Sequence, residues 1–218
     1  MASQPRYSGI KNLLFDLGGV IIDLHRESCI QALIDLGMTG AEQMLGLYAQ
    51  SGIFGQLESG QIDQAEFYRQ IRQYFPDNGR QISNVQIRDA FNKFLVGIPL
   101  HRLVELRVLR RDYRIFLLSN TNPIMVESRI AELFAAEGLR MADYFDGMIL
   151  SYQAHCLKPS AQIFEYTAAS LNINPSETLF LDDSQANLDA AARLGFATAL
   201  VAPGTEFLDA LTCINPDE

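Results

Sequence analysis

The sequence predicts an α/β fold in which helices surround a parallel β-sheet. Four apolar runs of strand length each end in a polar cluster, and a fifth run, FATALVA, follows the helical stretch ANLDAAARLG. The four runs are NLLF before Asp16, RIFLL before Ser119, GMIL before Ser151 and TLFL before Asp182. Unbroken apolar character is typical of strands buried on both faces, and the amphipathic stretches between the later runs have the spacing of crossover helices.

The interval between the first and second runs is much longer than one crossover helix. Four stretches within it carry apolar residues at helical spacing: ESCIQALIDLG, AEQMLGLYAQ, QAEFYRQIRQYF and NVQIRDAFNKFL. We therefore predict a small helical cap at residues 24–95, inserted after the first strand, and a core at residues 8–23 and 96–218. The segment VIID is expected to return as a small hairpin. Long excursions from the carboxyl end of a strand lie above the ligand site of an open α/β sheet, so the cap is expected to act as a lid.

The charge and cysteine content exclude several classes of partner. With 17 basic and 26 acidic residues, the chain has a net charge of -9 and no cationic surplus for nucleic acid or an anionic membrane. Its three cysteines are too few and too scattered for a disulfide framework. The first residues, MASQPRYSGIKN, carry no apolar targeting segment, and no apolar run approaches the roughly 18 residues that span a bilayer. We expect a cytoplasmic monomer or homodimer that acts on a small molecule.

Five polar residues lie at, or shortly after, the ends of the predicted strands. They are Asp16, Ser119, Lys158, Asp182 and Asp183. Taken singly, each has a simple structural explanation, since aspartate and serine cap helices and lysine is usually solvated. Because the carboxyl ends of parallel strands meet at one edge of a sheet, the five residues together predict a single site.

The residue types in this group indicate attack on phosphorus. An exposed Asp16 carboxylate, leaving its strand through two glycines, could form an aspartyl-phosphate. Two unit charges about 4 Å apart repel by roughly 4 kcal/mol at an effective dielectric of 20, so this attack requires countercharge. Mg²⁺ bound by oxygens of Asp16, Asp182 and Asp183 would provide it, together with the ammonium of Lys158.

The segment LLSNTN supplies hydrogen-bond donors for the remaining phosphate oxygens. Ser119 and Asn120 can both donate to them and so stabilise the charge of the transition state. No GxGxxG or GxxxxGK[ST] pattern occurs in the chain, so a dinucleotide-binding fold or a P-loop is not supported. The favoured substrate is therefore a small phosphorylated metabolite.

Four segments, taken in order, resemble those of the haloacid dehalogenase-like superfamily. They are FDLGGV, LLSNTN, LKPSAQIFEY and FLDDSQANLDAAARLG, and the resemblance covers essentially the whole chain. It implies a Rossmann-like core with helices on both faces of the sheet, a small cap, and Mg²⁺-dependent hydrolysis of phosphate monoesters. The stretch GIFGQLESGQIDQAEFY resembles the cap of the branch that includes bacterial α-D-glucose-1-phosphate phosphatase and the N-terminal phosphatase domain of soluble epoxide hydrolase.

The resemblance also implies a role for each matching residue. Asp16 would be the nucleophile and a Mg²⁺ ligand, and Gly18 would bind the metal through its backbone carbonyl. Asp183 would be the principal metal-binding aspartate, and Asp182 a neighbouring ligand or a partner of the ligands. The residues implied in binding phosphate are Ser119, Asn120 and Lys158.

One position departs from the pattern of the phosphatases in this superfamily. They usually carry a second aspartate, the general acid and base, two residues after the nucleophile, where this chain has Gly18. General acid catalysis is typically worth about 10² to 10⁴ in rate. Asp23, His25 and His155 are the candidate replacements. Since an anomeric oxygen leaves readily, we favour sugar 1-phosphates as substrates and expect Gly18→Asp to help poor leaving groups most.

Three alternatives remain open. In a metal-independent 2-haloacid dehalogenase the aspartate attacks carbon and expels halide, but there Asp182 and Asp183 would repel a carboxylate substrate. A phospho-acceptor module such as a response-regulator receiver has similar residues, although its acidic pair precedes the accepting aspartate. A relative that binds a phosphorylated ligand without turnover is the third.

Overall fold

The central sheet lies within residues 7–46 and 50–211, which are the residues that the computed structural model describes. Five parallel strands form it, namely β1 (Asn12–Phe15), β4 (Arg114–Ser119), β5 (Gly147–Leu150), β6 (Thr178–Asp182) and β7 (Ala197–Leu200). Their order across the sheet is β5-β4-β1-β6-β7. A separate antiparallel pair consists of β2 (Asp23–Leu24) and β3 (Leu95–Gly97). The predicted parallel sheet is confirmed.

The strands are unbroken apolar runs because both faces of the sheet are covered. Along β1, Leu13 and Phe15 belong to one buried cluster and Leu14 belongs to the other, as the alternation of side chains in a strand requires. The first cluster includes Leu103 and Leu106 of the helix that precedes β4, and the second includes residues of the helices on either side of β6. The predicted helices on both faces are therefore observed.

The residues between β2 and β3, 25–94, are here named the helical insertion. Its helices are α1 (Arg26–Asp35), α2 (Ala41–Met44), α3 (Gly52–Glu58), α4 (Gln64–Ile71) and α5 (Asn84–Phe91). Local capping sets where they begin: Asp63 accepts from the Glu66 amide before α4, and Ser83 and Gln86 form a capping box before α5. The division into a cap at 24–95 and a core on either side of it stays a prediction.

The helices outside the insertion connect the strands of the sheet, except the last helix, which follows β7. They are α6 (Leu100–Leu109), α7 (Pro123–Met125), α8 (Ala131–Phe134), α9 (Met141–Tyr144), α10 (Ser151–Ala154), α11 (Ala161–Leu171), α12 (Gln185–Arg193) and α13 (Phe207–Ala210). A π-helical turn, Val126–Ile130, joins α7 to α8. Within the described ranges, no helix is long and apolar enough to cross a membrane.

Two local predictions differ from the structure. The helix predicted over AEQMLGLYAQ ends at Met44, beyond which Leu45 forms a bridge with Gln50 and the Gln50 side chain bonds both the N–H and the carbonyl of Gly46. Residues 47–49 of that stretch lie outside the described part. The segment VIID returns as an isolated bridge between Gly18 and Ile22 rather than as a complete hairpin, and Asp23–Leu24 then pairs with Leu95–Gly97 across the base of the insertion. Cys29 and Cys156 are free and buried, and Cys213 lies outside the described residues.

Candidate active site

A cavity lies where the carboxyl ends of β1, β4 and β6 face the helical insertion. Six of the residues predicted from the sequence line it, namely Asp16, Gly18, Ser119, Asn120, Lys158 and Asp183. The insertion adds Gln50, Glu58, Phe91 and Phe94, and the lining is completed by Leu17, Leu24, Leu95, Thr121, Met125, Ile130 and Asn187. The rule that parallel strands end at one edge has brought the predicted residues together.

Asp16 follows β1, the middle strand of the sheet, and its amide bonds the carbonyl of Leu181 in β6 at 2.9 Å. Its Oδ1 accepts from the Leu17 amide at 2.6 Å and lies 2.8 Å from the Lys158 ammonium. Among the described residues, no hydrogen-bond donor approaches Oδ2. The expectation of an exposed carboxylate was wrong, since Asp16 is only 8% exposed beneath the insertion. One oxygen is thus fixed and the other is left for reaction or metal binding.

Lys158 is held between two carboxylates. Its Nζ lies 2.7 Å from Asp182 Oδ2 as well as 2.8 Å from Asp16, and its side chain is buried. Asp182 is fully buried and also accepts from the Ser184 amide at 2.8 Å and from Asn187 Nδ2 at 3.0 Å. With these donors in place, the geometry assigns Asp182 to orienting the ammonium, while its role as a metal ligand stays a prediction.

The segment LLSNTN, predicted to bind phosphate, holds the backbone around Lys158 in position. The Asn120 side chain accepts from the Lys158 amide at 2.9 Å and donates to the Lys158 carbonyl at 3.0 Å. This pairing fixes the backbone that carries the ammonium, so donation from Asn120 to phosphate stays a prediction. Ser119 is a buried lining residue at the end of β4, and its Oγ lies 3.4 Å from the Asn120 carbonyl.

The acidic groups outnumber the cation beside them. One ligand atom from each of Asp16, Asp182 and Asp183 lies within 4.8 Å of the others. With the single ammonium of Lys158, three carboxylates leave two negative charges uncompensated. Burial raises the pKa of Asp16 against the attraction of Lys158, and the charges of Asp182 and Asp183 raise it further. Burial and the charge of Asp182 raise the pKa of Asp183 to about 6, against the opposing charge of Lys158.

These groups fit a divalent, oxygen-preferring cation. Mg²⁺ takes carboxylate ligands and would cancel the two excess charges. The loop after β1 also makes room for the ligand set, because a Cβ on Gly19, which has a φ of +77°, would lie 2.1 Å from Asp183 Oδ2. The ammonium stays charged in this environment: burial alone would lower the pKa of Lys158, but the charges of Asp16 and Asp182 raise it above its ordinary value. The residues that would hold Mg²⁺ are Asp16, Asp183 and the Gly18 carbonyl.

Residues 10–195 match the family model described as haloacid dehalogenase-like hydrolase. The chain belongs to this family. The D-ribitol-5-phosphate phosphatase of Bacteroides thetaiotaomicron is 37% identical over 205 residues, which make up 94% of this chain and 98% of that protein. Bifunctional epoxide hydrolase 2 of Rattus norvegicus is 33% identical over 81 residues, which make up 37% of this chain and 15% of that protein.

A solved structure of a haloacid dehalogenase family enzyme from the same Bacteroides species superposes with a TM-score of 0.88 at 38% identity. It covers 93% of this chain and 99% of the other, and it is a mutant in complex with magnesium and inorganic phosphate. The resemblance on which the sequence analysis relied is therefore confirmed at the level of family and fold.

The position of the missing aspartate in this haloacid dehalogenase-like hydrolase lies against an apolar side chain. A Cβ on Gly18 would lie 3.0 Å from Leu24 Cδ1. None of the three candidate replacements lines the cavity. Asp23 is paired with Arg102 at 2.7 Å, and His25 accepts the Ser28 amide at 3.2 Å as the cap of α1. His155 adopts a left-handed φ of 54° beside Gly60.

Sequence reasoning missed Glu58, the last residue of α3. It is 8% exposed and lines the cavity. Burial, reinforced by the negative charge of Asp16, raises the pKa of Glu58 to about 8. The signal was present in GIFGQLE, because Phe54 and Leu57 precede this glutamate at helical spacing and both are fully buried. A carboxyl on the buried face of a helix indicates a functional role more often than an exposed one does.

Proposed function

We propose that this chain is a Mg²⁺-dependent phosphatase that hydrolyses phosphate monoesters of small polyols or sugars through an aspartyl-phosphate on Asp16. The observation that carries the proposal is the pairing of Asp16 with Lys158 beside Asp183, in a cavity at the carboxyl edge of the sheet. This arrangement supplies a nucleophile, a cation and an acidic metal-binding group within one small volume.

Each residue has a distinct part in the reaction. Lys158 holds Asp16 Oδ1, so that Oδ2 is the oxygen directed at phosphorus. As Oδ2 forms its bond, the ester P–O bond breaks and its electron pair goes to the leaving oxygen, which takes a proton. Ser119 donates to a phosphate oxygen. Water then cleaves the aspartyl-phosphate and regenerates Asp16. When bound, Mg²⁺ supplies positive charge that lets a carboxylate approach a phosphate dianion.

The class of substrate is supported by the relatives and by the lining of the cavity. By its name, the 37% identical relative acts on a polyol phosphorylated at a primary hydroxyl. The side of the cavity that the insertion supplies combines the polar groups of Gln50 and Glu58 with the rings of Phe91 and Phe94. Polar groups set among apolar ones suit a small hydroxylated carbon chain. Sugar 1-phosphates are the second candidate class, because Gly18 provides no acid for a poor leaving group.

The acidic cluster argues against the dehalogenase, and turnover distinguishes the phosphatase from a binding module. A metal-independent dehalogenase would need its carboxylate substrate to approach Asp16 beside Asp183, with two uncompensated negative charges already present. A module that binds a phosphorylated ligand without turnover would release no phosphate. The dehalogenase should act on a haloacid without metal, and the binding module should release no phosphate from any ester.

The test is a screen for phosphate release with Mg²⁺ present and with EDTA. The substrates are polyol 5-phosphates, sugar 1-phosphates, nucleotides and p-nitrophenyl phosphate. We expect Mg²⁺-dependent turnover that Asp16→Asn abolishes, while the control Asp189→Asn, on an exposed residue of α12, keeps wild-type rates. Turnover of chloroacetate that survives EDTA would establish the dehalogenase instead. Absence of phosphate release from every substrate would favour the binding module.

A further inference from the structure

The helical insertion supplies a carboxyl group to the cavity, whereas the loop after β1 has no acidic side chain at position 18. Gly18 has no side chain, and Leu24 fills the space beside it. Of the ionisable residues that line the described cavity, Asp16, Lys158 and Asp183 belong to the charged cluster, and Glu58 is the other. Glu58 is the last residue of α3, so it reaches the cavity from the helical insertion.

The Ser151 hydroxyl links the backbone of Glu58 to the phosphate-binding segment. Its carbonyl accepts from the Ser151 hydroxyl at 2.7 Å. The same Ser151 oxygen accepts from the Thr121 amide at 2.9 Å and approaches the Thr121 carbonyl at 3.1 Å. Thr121 lies two residues after Ser119. One fully buried hydroxyl therefore links the end of α3 to the segment proposed to bind phosphate.

The turn after α3 is packed against the core with no spare room. Gly60 has a φ of +67°, and a Cβ there would lie 2.2 Å from the Tyr152 carbonyl and 2.7 Å from His155 Nδ1. A side chain at position 60 would therefore separate the insertion from α10. This close approach explains the glycine and holds Glu58 in place without a bond to its carboxyl.

The surroundings of Glu58 favour the protonated form of its carboxyl. Burial and the negative charge of Asp16 raise its pKa to about 8. The cation of the cavity, Lys158, is already bound to Asp16 and Asp182. Asp183 adds another negative group to the same lining. A neutral carboxyl that faces an anion site can donate a proton, whereas a charged one would repel the substrate.

We propose that Glu58 is the general acid of this enzyme and donates its proton to the leaving oxygen. The inference rests on the proposed phosphatase function. As Asp16 attacks phosphorus, the ester P–O bond breaks toward the leaving oxygen, which takes the proton from Glu58 and departs as an alcohol. The Glu58 carboxylate then takes a proton from the water that attacks the aspartyl-phosphate. Inorganic phosphate leaves, and Glu58 is neutral again.

The test compares leaving groups in the wild type and in Glu58→Gln. Aryl phosphates of graded phenol acidity, together with a simple alkyl phosphate, carry no other hydroxyl group, so they isolate protonation from recognition of the substrate. We expect kcat/KM of Glu58→Gln to fall by about 10² to 10⁴ on the alkyl ester and to stay within about 3-fold on p-nitrophenyl phosphate. The matched control is Glu105→Gln, a partly buried glutamate of α6 outside the cavity whose pKa burial also raises; it should match the wild type.

The possible outcomes distinguish a general-acid role of Glu58 from a role in binding substrate. An equal loss on all esters, or a loss confined to polyol phosphates through KM, would overturn the proposal and make Glu58 a residue that binds substrate hydroxyls. Glu58→Asp keeps a carboxyl on a shorter side chain and should recover part of the rate on the alkyl ester. It tests the general-acid role of Glu58 if Glu58→Gln folds poorly. A wild type inactive on every phosphate would instead refute the phosphatase function itself, and the inference with it.

Discussion

The carboxylate of Asp183 occupies the space above Gly19, where a Cβ would lie 2.1 Å from its Oδ2. The close approach joins the loop after β1 to the end of β6 and places the acidic group of one strand over the backbone of the other. The glycine at position 19 is therefore part of the predicted metal site although it contributes no ligand.

Gly19→Ala should weaken Mg²⁺ binding. The methyl group would displace the Asp183 carboxylate and would strain a backbone with a φ of +77°. Loss of ligand orientation typically costs about 10- to 100-fold in metal affinity, so we expect a shift of that size in the Mg²⁺ dependence of activity. The control is Gly97→Ala in β3, where a Cβ would meet nothing within 4 Å. An unchanged Mg²⁺ titration in Gly19→Ala would show that Asp183 does not bind the metal.

The metal-free protein should lose stability as the pH rises. The pKa of Glu58 is raised from 4.5 to about 8 and that of Asp183 from 3.8 to about 6, so the folded state binds more protons than the unfolded chain between these values. The resulting stabilisation is complete below about pH 4 and is lost as the pH passes through the folded-state values. Melting temperatures in EDTA should therefore decline from pH 5 to pH 8.

Adding Mg²⁺ and testing Glu58→Gln assign this pH dependence of stability to the carboxyls of the site. Mg²⁺ should offset much of the decline, because it binds the folded state and neutralises the ionised carboxylates. Glu58→Gln should show a shallower decline above pH 6, since its amide does not ionise. Parallel pH curves for Glu58→Gln and wild type would mean that Glu58 is already ionised in the folded protein.

Asn187→Ala should reduce both stability and turnover. Its amide donates to both oxygens of the buried Asp182, at 3.0 and 3.1 Å. Removing a hydrogen bond to a buried charge costs about 2 kcal/mol, and the freed Asp182 would hold Lys158 less well. Denaturant unfolding and kcat measure the two effects. Gln185→Ala, on the exposed face of the same helix, should change neither.

Gly18→Asp should improve poor leaving groups more when Leu24→Ala accompanies it. The expectation that the aspartate restores the missing acid stays a prediction, and the new Cβ would lie 3.0 Å from Leu24 Cδ1, so this side chain must shift slightly. We expect the largest gain in the double variant, and most clearly in a Glu58→Gln background. The measurement is kcat/KM on an alkyl phosphate. A gain in the single variant as large as in the double variant would show that Leu24 moves aside freely.

The sheet and its charged edge were predictable, because buried parallel strands are unbroken apolar runs and their ends converge. That rule brings Asp16 and Asp183 together, whereas Lys158 follows α10 and is held there by the Asn120 side chain. The burial of Asp16 was not predictable, since it depends on how the helical insertion lies over the sheet. Glu58 was missed for the same reason: its sequence neighbours indicate a buried helix face, but only the packing of Gly60 against α10 shows which cavity that face meets.

The hydroxyl of Ser151 has a consequence for the timing of catalysis. Any movement that lifts the helical insertion away from the sheet, to admit substrate or release the alcohol, must break the bond between Ser151 and the Glu58 carbonyl. The same movement withdraws the Glu58 carboxyl from the phosphate. An open enzyme would then hold a nucleophile without its proton donor, so bond cleavage would be confined to the closed arrangement, with substrate already enclosed.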